Sequence, residues 1–319
     1  MMYSENMPAN RDNRILVIGA AGIDLVGRMT EMPDPGSSVP AEVRPSFGGV
    51  ARNVAENLAR LDQKVTFITA VGKNIFGNLL LSHLNEIGVN TEASIISDNF
   101  YTASYLAVLS EDGKLNFALD DMRVLSELTS AYFLEHEDLF ANAKGVFFDA
   151  NVPEDGIATL IEMTGRYQIP VYADATSRSV AKRLIPYLPH ITLLNANTNE
   201  AEILIEHEFE ITGRTSALKA ARKLVNLGAE MVVIPMAEFG VCYATSETSG
   251  HVPAIKTKIL DPTGAGDALS AALIFGLQND IPLDDTIRLG VLAASLTLRH
   301  PGTVLPGISV EKLYDMTMN

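Results

Sequence analysis

The sequence predicts an α/β protein, a three-layer α/β/α sandwich around a mainly parallel sheet, with a small β lid beside it. Three observations carry this. From residue 14 onward, short apolar β-rich runs alternate with helical patterns, as in chains built from strand–helix–strand units. Those runs are continuously apolar, as expected of strands covered by helices on both faces. Two segments of β character, 36–49 and 103–121, interrupt that rhythm.

"RILVIG" (14–19) is the first strand. In "VARNVAENLARL" (50–61), Ala51, Val54, Ala55 and Leu58 share one helical face. "VTFITAVG" (65–72) reads as a strand, and "NLLLSHLNEIG" (78–88) as a helix closed by Gly88. Strands follow at "GVFFDANV", "PVYADA", "ITLLNAN" and "EMVVIPM". Between them lie helices at "EDGIATLIEMTGRYQ", "SVAKRLIPYL" and "TSALKAARKLVNLG". The last third is mostly helical, at 266–278, 284–299 and 309–317.

"ASYLAVLSEDGKLNFALDD" (103–121) reads as a hairpin turning at Glu111-Asp112-Gly113. With 36–49 it is expected to leave the main sheet and form the lid, over about 25–49 and 100–122. No linker divides the chain, so 14–319 is expected to be one domain behind a disordered polar tail at 1–13.

The net charge is −15. Nucleic-acid backbones and anionic membranes need cationic patches, so neither is an expected partner. No apolar stretch reaches the roughly 18 residues of a membrane span, and residues 1–13 lack a signal-peptide core. A cytoplasmic protein is the expectation. The single cysteine, Cys242, sits in an apolar run and reads as a buried hydrophobe.

The chemistry concentrates in "ILDPTGAGDALSAALIFGL" (259–277). A strand ends at Asp261, Pro262 and Thr263 turn, and a helix starts around Asp267 after Gly264-Ala265-Gly266. A helix start exposes unpaired N–H groups and the positive end of the dipole. Small side chains there let phosphate oxygens reach those groups. Asp267, in the first turn, is placed to take a proton from an attacking hydroxyl. Acidic residues are also common in any first helical turn; the full D-P-T-G-A-G-D string is what makes this one specific.

That string, with "GGVARNVAENLARL" upstream, resembles the ribokinase-like (pfkB) family of sugar and nucleoside kinases. The resemblance spans about residues 14–306 and implies a ribokinase-like fold that uses ATP and Mg²⁺. It makes Asp267 the catalytic base and the backbone N–H groups of Gly264, Ala265 and Gly266 the anion hole. Gly48, Gly49, Asn53 and Asp24 would grip sugar hydroxyls, although Asp24 also reads simply as the residue after a strand. Asn197 and Glu200 would organise Mg²⁺, Glu200 through water, but N-x-x-E at a helix start is equally a capping box. Gly240 and Thr263 would lie by the nucleotide, and Asp261 with Thr263 would flank a K⁺ ion.

The chain departs from the family pattern at Pro235 and Ala237, near the expected nucleotide phosphates, and at Asp62, where a left-handed residue costs roughly 1 kcal/mol. "PSFGGVARNVAENLARL", "TASYLAVLSEDGKLNFALDDM" and "FFDANVPEDGI" resemble the pseudouridine kinases of that family. They imply 5′-phosphorylation of a ribosyl compound. Asp121 and Asn151 would then meet substrate, and Tyr105, Leu106, Phe117 and Leu119 would cover a planar group or else pack the hairpin. Ribokinase, purine-nucleoside kinase and fructokinase-like activities are alternatives, as is a nucleoside sensor without turnover. An exposed lid edge suggests a homodimer.

Overall fold

A computed structural model describes residues 13–34 and 36–317. The expected disordered tail, apart from residue 13, lies outside the described residues. The strands are β1 (Arg14–Ile18), β2 (Gly22–Met29), β3 (Ala41–Gly48), β4 (Lys64–Ile68), β5 (Ala70–Gly72), β6 (Ile95–Ser97), β7 (Ala103–Leu109), β8 (Leu115–Asp121), β9 (Ala143–Asp149), β10 (Val171–Asp174), β11 (Leu193–Asn195), β12 (Met231–Pro235), β13 (Val241–Thr245) and β14 (Ser249–Val252).

Eight of them form one sheet in the order β14-β13-β12-β11-β10-β9-β1-β4. It is parallel from β4 to β12, and β13 and β14 add antiparallel. Each central strand feeds two cores. Leu16 and Ile18 of β1 join Val146 and Phe148 on one face, while Ile15 and Val17 join Phe147 and Tyr172 on the other. Burial on both sides is why these strands carry no polar alternation.

The lid is a separate sheet, β3-β2-β7-β8. Its inner strand β2 follows β1 after the short turn Gly19–Ala21 and begins at Gly22, ahead of the expected lid start. The hairpin of β7 and β8 forms around Gly113, whose φ is 82°.

Three readings are corrected. No strand ends at Asp261: the last strand, β14, stops at Val252, and irregular chain leads from there to the helix that starts at Ala265. "VTFITAVG" is not one strand: β4 ends at Ile68, and β5 pairs with β6 in a small sheet of its own. The stretch expected as a helix at 179–188 is 3₁₀ turns over Ala181–His190. Pro186 and Pro189 lie within it, and each lacks the N–H that a continuous α-helix needs.

Candidate active site

Helix Ala265–Gln278 opens on Gly264, which has φ 80°. A Cβ at Gly264 would lie 1.8 Å from the Thr303 carbonyl oxygen, so only glycine fits. The first hydrogen bond of this helix runs from the Ala268 N–H to the Gly264 carbonyl. The earlier N–H groups have no acceptor within the helix. Apart from its chain neighbours and its own helix backbone, a Cβ at Gly266 would meet nothing within 4 Å. Open space therefore lies beside the free N–H groups, as an anion site requires.

Asp267 is the third residue of this helix and is 9% exposed. The Asn53 amide Nδ2 donates to its Oδ2 at 2.5 Å. Burial pushes its carboxyl up to about 7, against that hydrogen bond and the nearby charge of Arg52. A carboxylate poised near neutrality suits a general base. Asn53 lies on helix Val50–Arg60, entered through Gly48 and Gly49. Gly49 has φ 97°, and a Cβ there would lie 2.3 Å from the Ala20 carbonyl oxygen. At Gly48 a Cβ would lie 2.1 Å from Asp24 Oδ1. The glycines thus let the first motif close onto the β1–β2 turn and onto Asp24.

Asp24 is on β2, opposite Ser46 of β3 and Tyr105 of β7, and Tyr105 is opposite Asp120 of β8. Directly opposed residues share a sheet face, so Ser46, Asp24, Tyr105 and Asp120 form one row. Burial raises the Asp24 carboxyl to about 6; Arg52 opposes the shift and Asp261 adds to it. The same face lines a cleft of 610 Å³ with Arg28, Arg44, Asp261, Thr263 and Gly302.

Strand alternation corrects part of the lid reading. Asp121 is opposite Ser104, on the other face, and forms an ion pair with Arg123 at 2.7 Å. Asp120 occupies the row that Asp121 was expected to join. Leu106, Leu119 and Phe117 also lie on the far face, leaving Tyr105 as the aromatic side chain of the cleft.

At the carboxyl edge of the main sheet, Asp149, Asp174 and Asn195 end three neighbouring strands in register. Ligands of open α/β sheets bind beyond such edges. Asp149 accepts from the Ala20 and Ala51 N–H groups, at 2.8 and 3.0 Å, so it fastens the β1 turn to the first motif. Asn151 donates its N–H to Asp149 and lies at this edge. Asn195 Nδ2 reaches Asp174, Ser270 and the Gly266 carbonyl.

Asn197 and Glu200 form a full capping box: Asn197 accepts from the N–H groups of Asn199 and Glu200, and Glu200 accepts from the N–H of Asn197. Glu200 is nonetheless buried, and burial raises its carboxyl. Asp174 is raised well above the usual range by burial, then by Glu200 and Asp267. Two crowded carboxyls of this kind fit a divalent cation held mainly through water. Among the described residues, no group of three His, Cys, Asp or Glu is placed to hold a metal ion.

Asp261 accepts from the N–H groups of Thr263 and Gly302 at 2.9 and 3.2 Å, tying the turn before the helix to the segment after Leu298. A Cβ at Gly240 would lie 2.2 Å from the Val252 carbonyl oxygen, which gives Gly240 a packing role. Pro235 ends β12, and Ala237 follows with φ 49°. Asp62 has φ 58°, a left-handed conformation, so the cost of a non-glycine residue applies there. Cys242 is fully buried.

Sequence reasoning missed Arg52, Asp149, Asp174, Asn195 and Thr303. Polar residues ending apolar runs, as in "FFD", "YAD" and "LLN", were the available signal for three of them.

The pfkB family carbohydrate kinase model matches residues 12–309. The pseudouridine kinase of Escherichia coli is 30% identical over 306 residues, 96% of each chain. The guanosine-inosine kinase of Exiguobacterium acetylicum is 28% identical over 291 residues, 89% of this chain and 93% of its own. The structure of Arabidopsis thaliana ribokinase complexed with ribose and ATP superposes with a TM-score of 0.85 at 20% identity, over 95% of this chain and 98% of that one. The chain therefore belongs to the pfkB family of carbohydrate kinases, phosphotransferases that act on an alcohol group of a sugar or nucleoside.

Proposed function

We propose that the protein transfers the γ-phosphate of ATP to the 5′-hydroxyl of a ribosyl substrate, with pseudouridine as the foremost acceptor. The placement of Asp267 carries this reading: a buried carboxylate, held by Asn53, beside a glycine-opened helix start with space for a phosphate. The sugar would lie between the lid row and the first motif, its hydroxyls on Asp24 and Asn53, with Asn151 at the sheet edge. Asp267 accepts the proton as the 5′-oxygen attacks the γ-phosphorus in line, while the bond from that phosphorus to the β–γ bridging oxygen breaks and ADP leaves. The N–H groups at the helix start stabilise charge on the phosphoryl oxygens. Mg²⁺, near Asp174 and Glu200, would neutralise phosphate charge. Asp261 and Thr263 would face a monovalent cation such as K⁺. Asn197, Gly240 and Thr263 border the nucleotide.

Likeness to the Escherichia coli pseudouridine kinase supports the choice of acceptor. Tyr105 in the cleft supplies a surface for a planar base. Phosphate transfer from MgATP to pseudouridine, uridine, inosine, guanosine, ribose and fructose, with and without K⁺, tests the reading. Selective formation of pseudouridine 5′-phosphate is expected. Preference for inosine or guanosine would move the substrate to the purine nucleosides named by the second relative.

The lid's far face supports a homodimer. Val43, Leu106, Phe117 and Leu119 are exposed apolar side chains on that face, and among the described residues the outer edges of β3 and β8 pair with no further strand. Sedimentation of the Leu119→Asp variant as a monomer beside a dimeric parent is expected; a monomeric parent would remove this part. Among the described residues no helix is long and apolar enough to cross a membrane. With a net charge of −15 and an ATP-dependent reaction, we assign the protein to the cytoplasm, without nucleic acid or membrane as partner.

A further inference from the structure

The guanidinium of Arg52 is 2% exposed and lies between three parts of the site. It donates to the Phe47 carbonyl at 2.5 Å and the Gly48 carbonyl at 3.4 Å, where β3 leaves the lid. It also donates to the side-chain oxygen of Asn53, the residue whose NH₂ holds Asp267. Its third direction is the Thr303 hydroxyl at 2.6 Å. That hydroxyl in turn donates to the Phe47 carbonyl at 2.8 Å, and the Thr303 carbonyl lies against Gly264.

The cost of burying this cation is met by Glu56, at 2.5 Å. Glu56 also binds Arg60 at 2.7 Å and His83 at 3.1 Å. A buried ion pair is weak evidence for stability, since well-packed apolar residues often do as well. The arrangement has another consequence. An amide can face a carboxylate with either its NH₂ or its oxygen, and only the first attracts. Because the Asn53 oxygen is held by a permanent cation, its NH₂ is turned to Asp267.

We propose that Arg52 is the positioning residue of this site: it fixes the Asn53 amide toward the base and ties the Thr303 segment over the anion hole to the end of the lid. The inference rests on the kinase reading for its functional consequence, but not for its structural one. Asp267 is surrounded by Arg52 as the cation and by Asp24, Asp149 and Asp174 as acids. Removing the cation frees the Asn53 amide to turn and leaves that amide alone to oppose burial and the neighbouring acids.

Carbon-13 NMR titration of the Asp267 carboxyl in the unliganded protein tests this without any turnover. In Arg52→Gln the midpoint is expected to rise by about one pH unit, and the acidic limb of kcat to rise with it. Arg52→Lys retains the charge without the planar fork. Its midpoint is expected to stay near that of the parent, while kcat falls about tenfold or more with KM changed less. A folded Arg52→Gln protein with an unmoved midpoint overturns the proposal. Should that variant fail to fold, Arg52→Lys decides: parental kcat in it overturns the proposal equally. If the parent transfers phosphate to no acceptor, the kinase reading fails, and the midpoint shift alone decides the role of Arg52.

Discussion

The Asn53 amide donates to the Asp267 carboxylate at 2.5 Å, joining residues 214 apart in the chain. The two family motifs therefore meet as a single hydrogen bond between the residue expected to hold the sugar and the residue expected to deprotonate it. With its carboxyl pushed up to about 7, chiefly by burial, Asp267, the proposed base, is half ionised near neutrality. The kcat for phosphate transfer is expected to rise about tenfold per pH unit below that value and to level off above it. A pH–rate profile checks this; a flat profile across neutrality would assign proton removal elsewhere.

The same group has a stability signature. Its folded pKa of about 7 exceeds the ordinary carboxyl value of 3.8, so the folded state holds this proton more tightly than the unfolded state. Asp267 therefore loses stability as pH rises from its unfolded to its folded pKa, by on the order of 4 kcal/mol in the limit. Asp267→Asn removes that loss. Urea unfolding is expected to show the Asn variant more stable than the parent at about pH 8, with the gap narrowing by about pH 4.5. An equal gap at both would contradict the burial of an ionised carboxylate.

Two glycines of the proposed anion hole, Gly264 and Gly266, separate packing from binding. At Gly264, φ is 80° and the Thr303 carbonyl is in the way, so Gly264→Ala is expected to destabilise by more than about 2 kcal/mol. A methyl on Gly266 touches nothing beyond its chain neighbours and its own helix backbone. Gly266→Ala is thus expected to fold at least as well as the parent, with a helix preference of up to about 1 kcal/mol in its favour, yet to turn over slowly because the methyl intrudes on phosphate. Thermal unfolding and transfer assays on both variants distinguish the roles.

Tyr105 stands in the cleft beside Asp24 and opposite Asp120. Replacing it with Leu is expected to raise KM for nucleosides about fivefold, by loss of ring stacking worth roughly 1 kcal/mol, and to leave KM for ribose nearly unchanged. Equal effects on both acceptors would place the base elsewhere.

Much of this site was legible in the sequence because its two motifs resemble those of a known kinase family; a glycine-rich strand–helix turn ending in an acid is by itself common in any α/β chain. That resemblance picks out Asp267, Asn53, Gly264 and Asp24, and the structure brings them together. Arg52 was not legible: within "GGVARNVAENLARL" it reads as one more helix residue, and only the fold shows it turned inward with Glu56. The lid shows the limit of hairpin reading. Strand order and turn were visible, but which of Asp120 and Asp121 faces the cleft depends on register, where one residue reverses the face. The 3₁₀ turns at Ala181–His190 carried their signal in two prolines that the apolar spacing obscured.

The most direct test of the account is phosphate transfer from MgATP to pseudouridine by the parent and by Asp267→Asn, with substrate binding measured on both. The account predicts turnover in the parent, a loss of about 10²–10⁴-fold in the variant, and acceptor affinity largely retained. Parental turnover in a folded Asp267→Asn protein would contradict it.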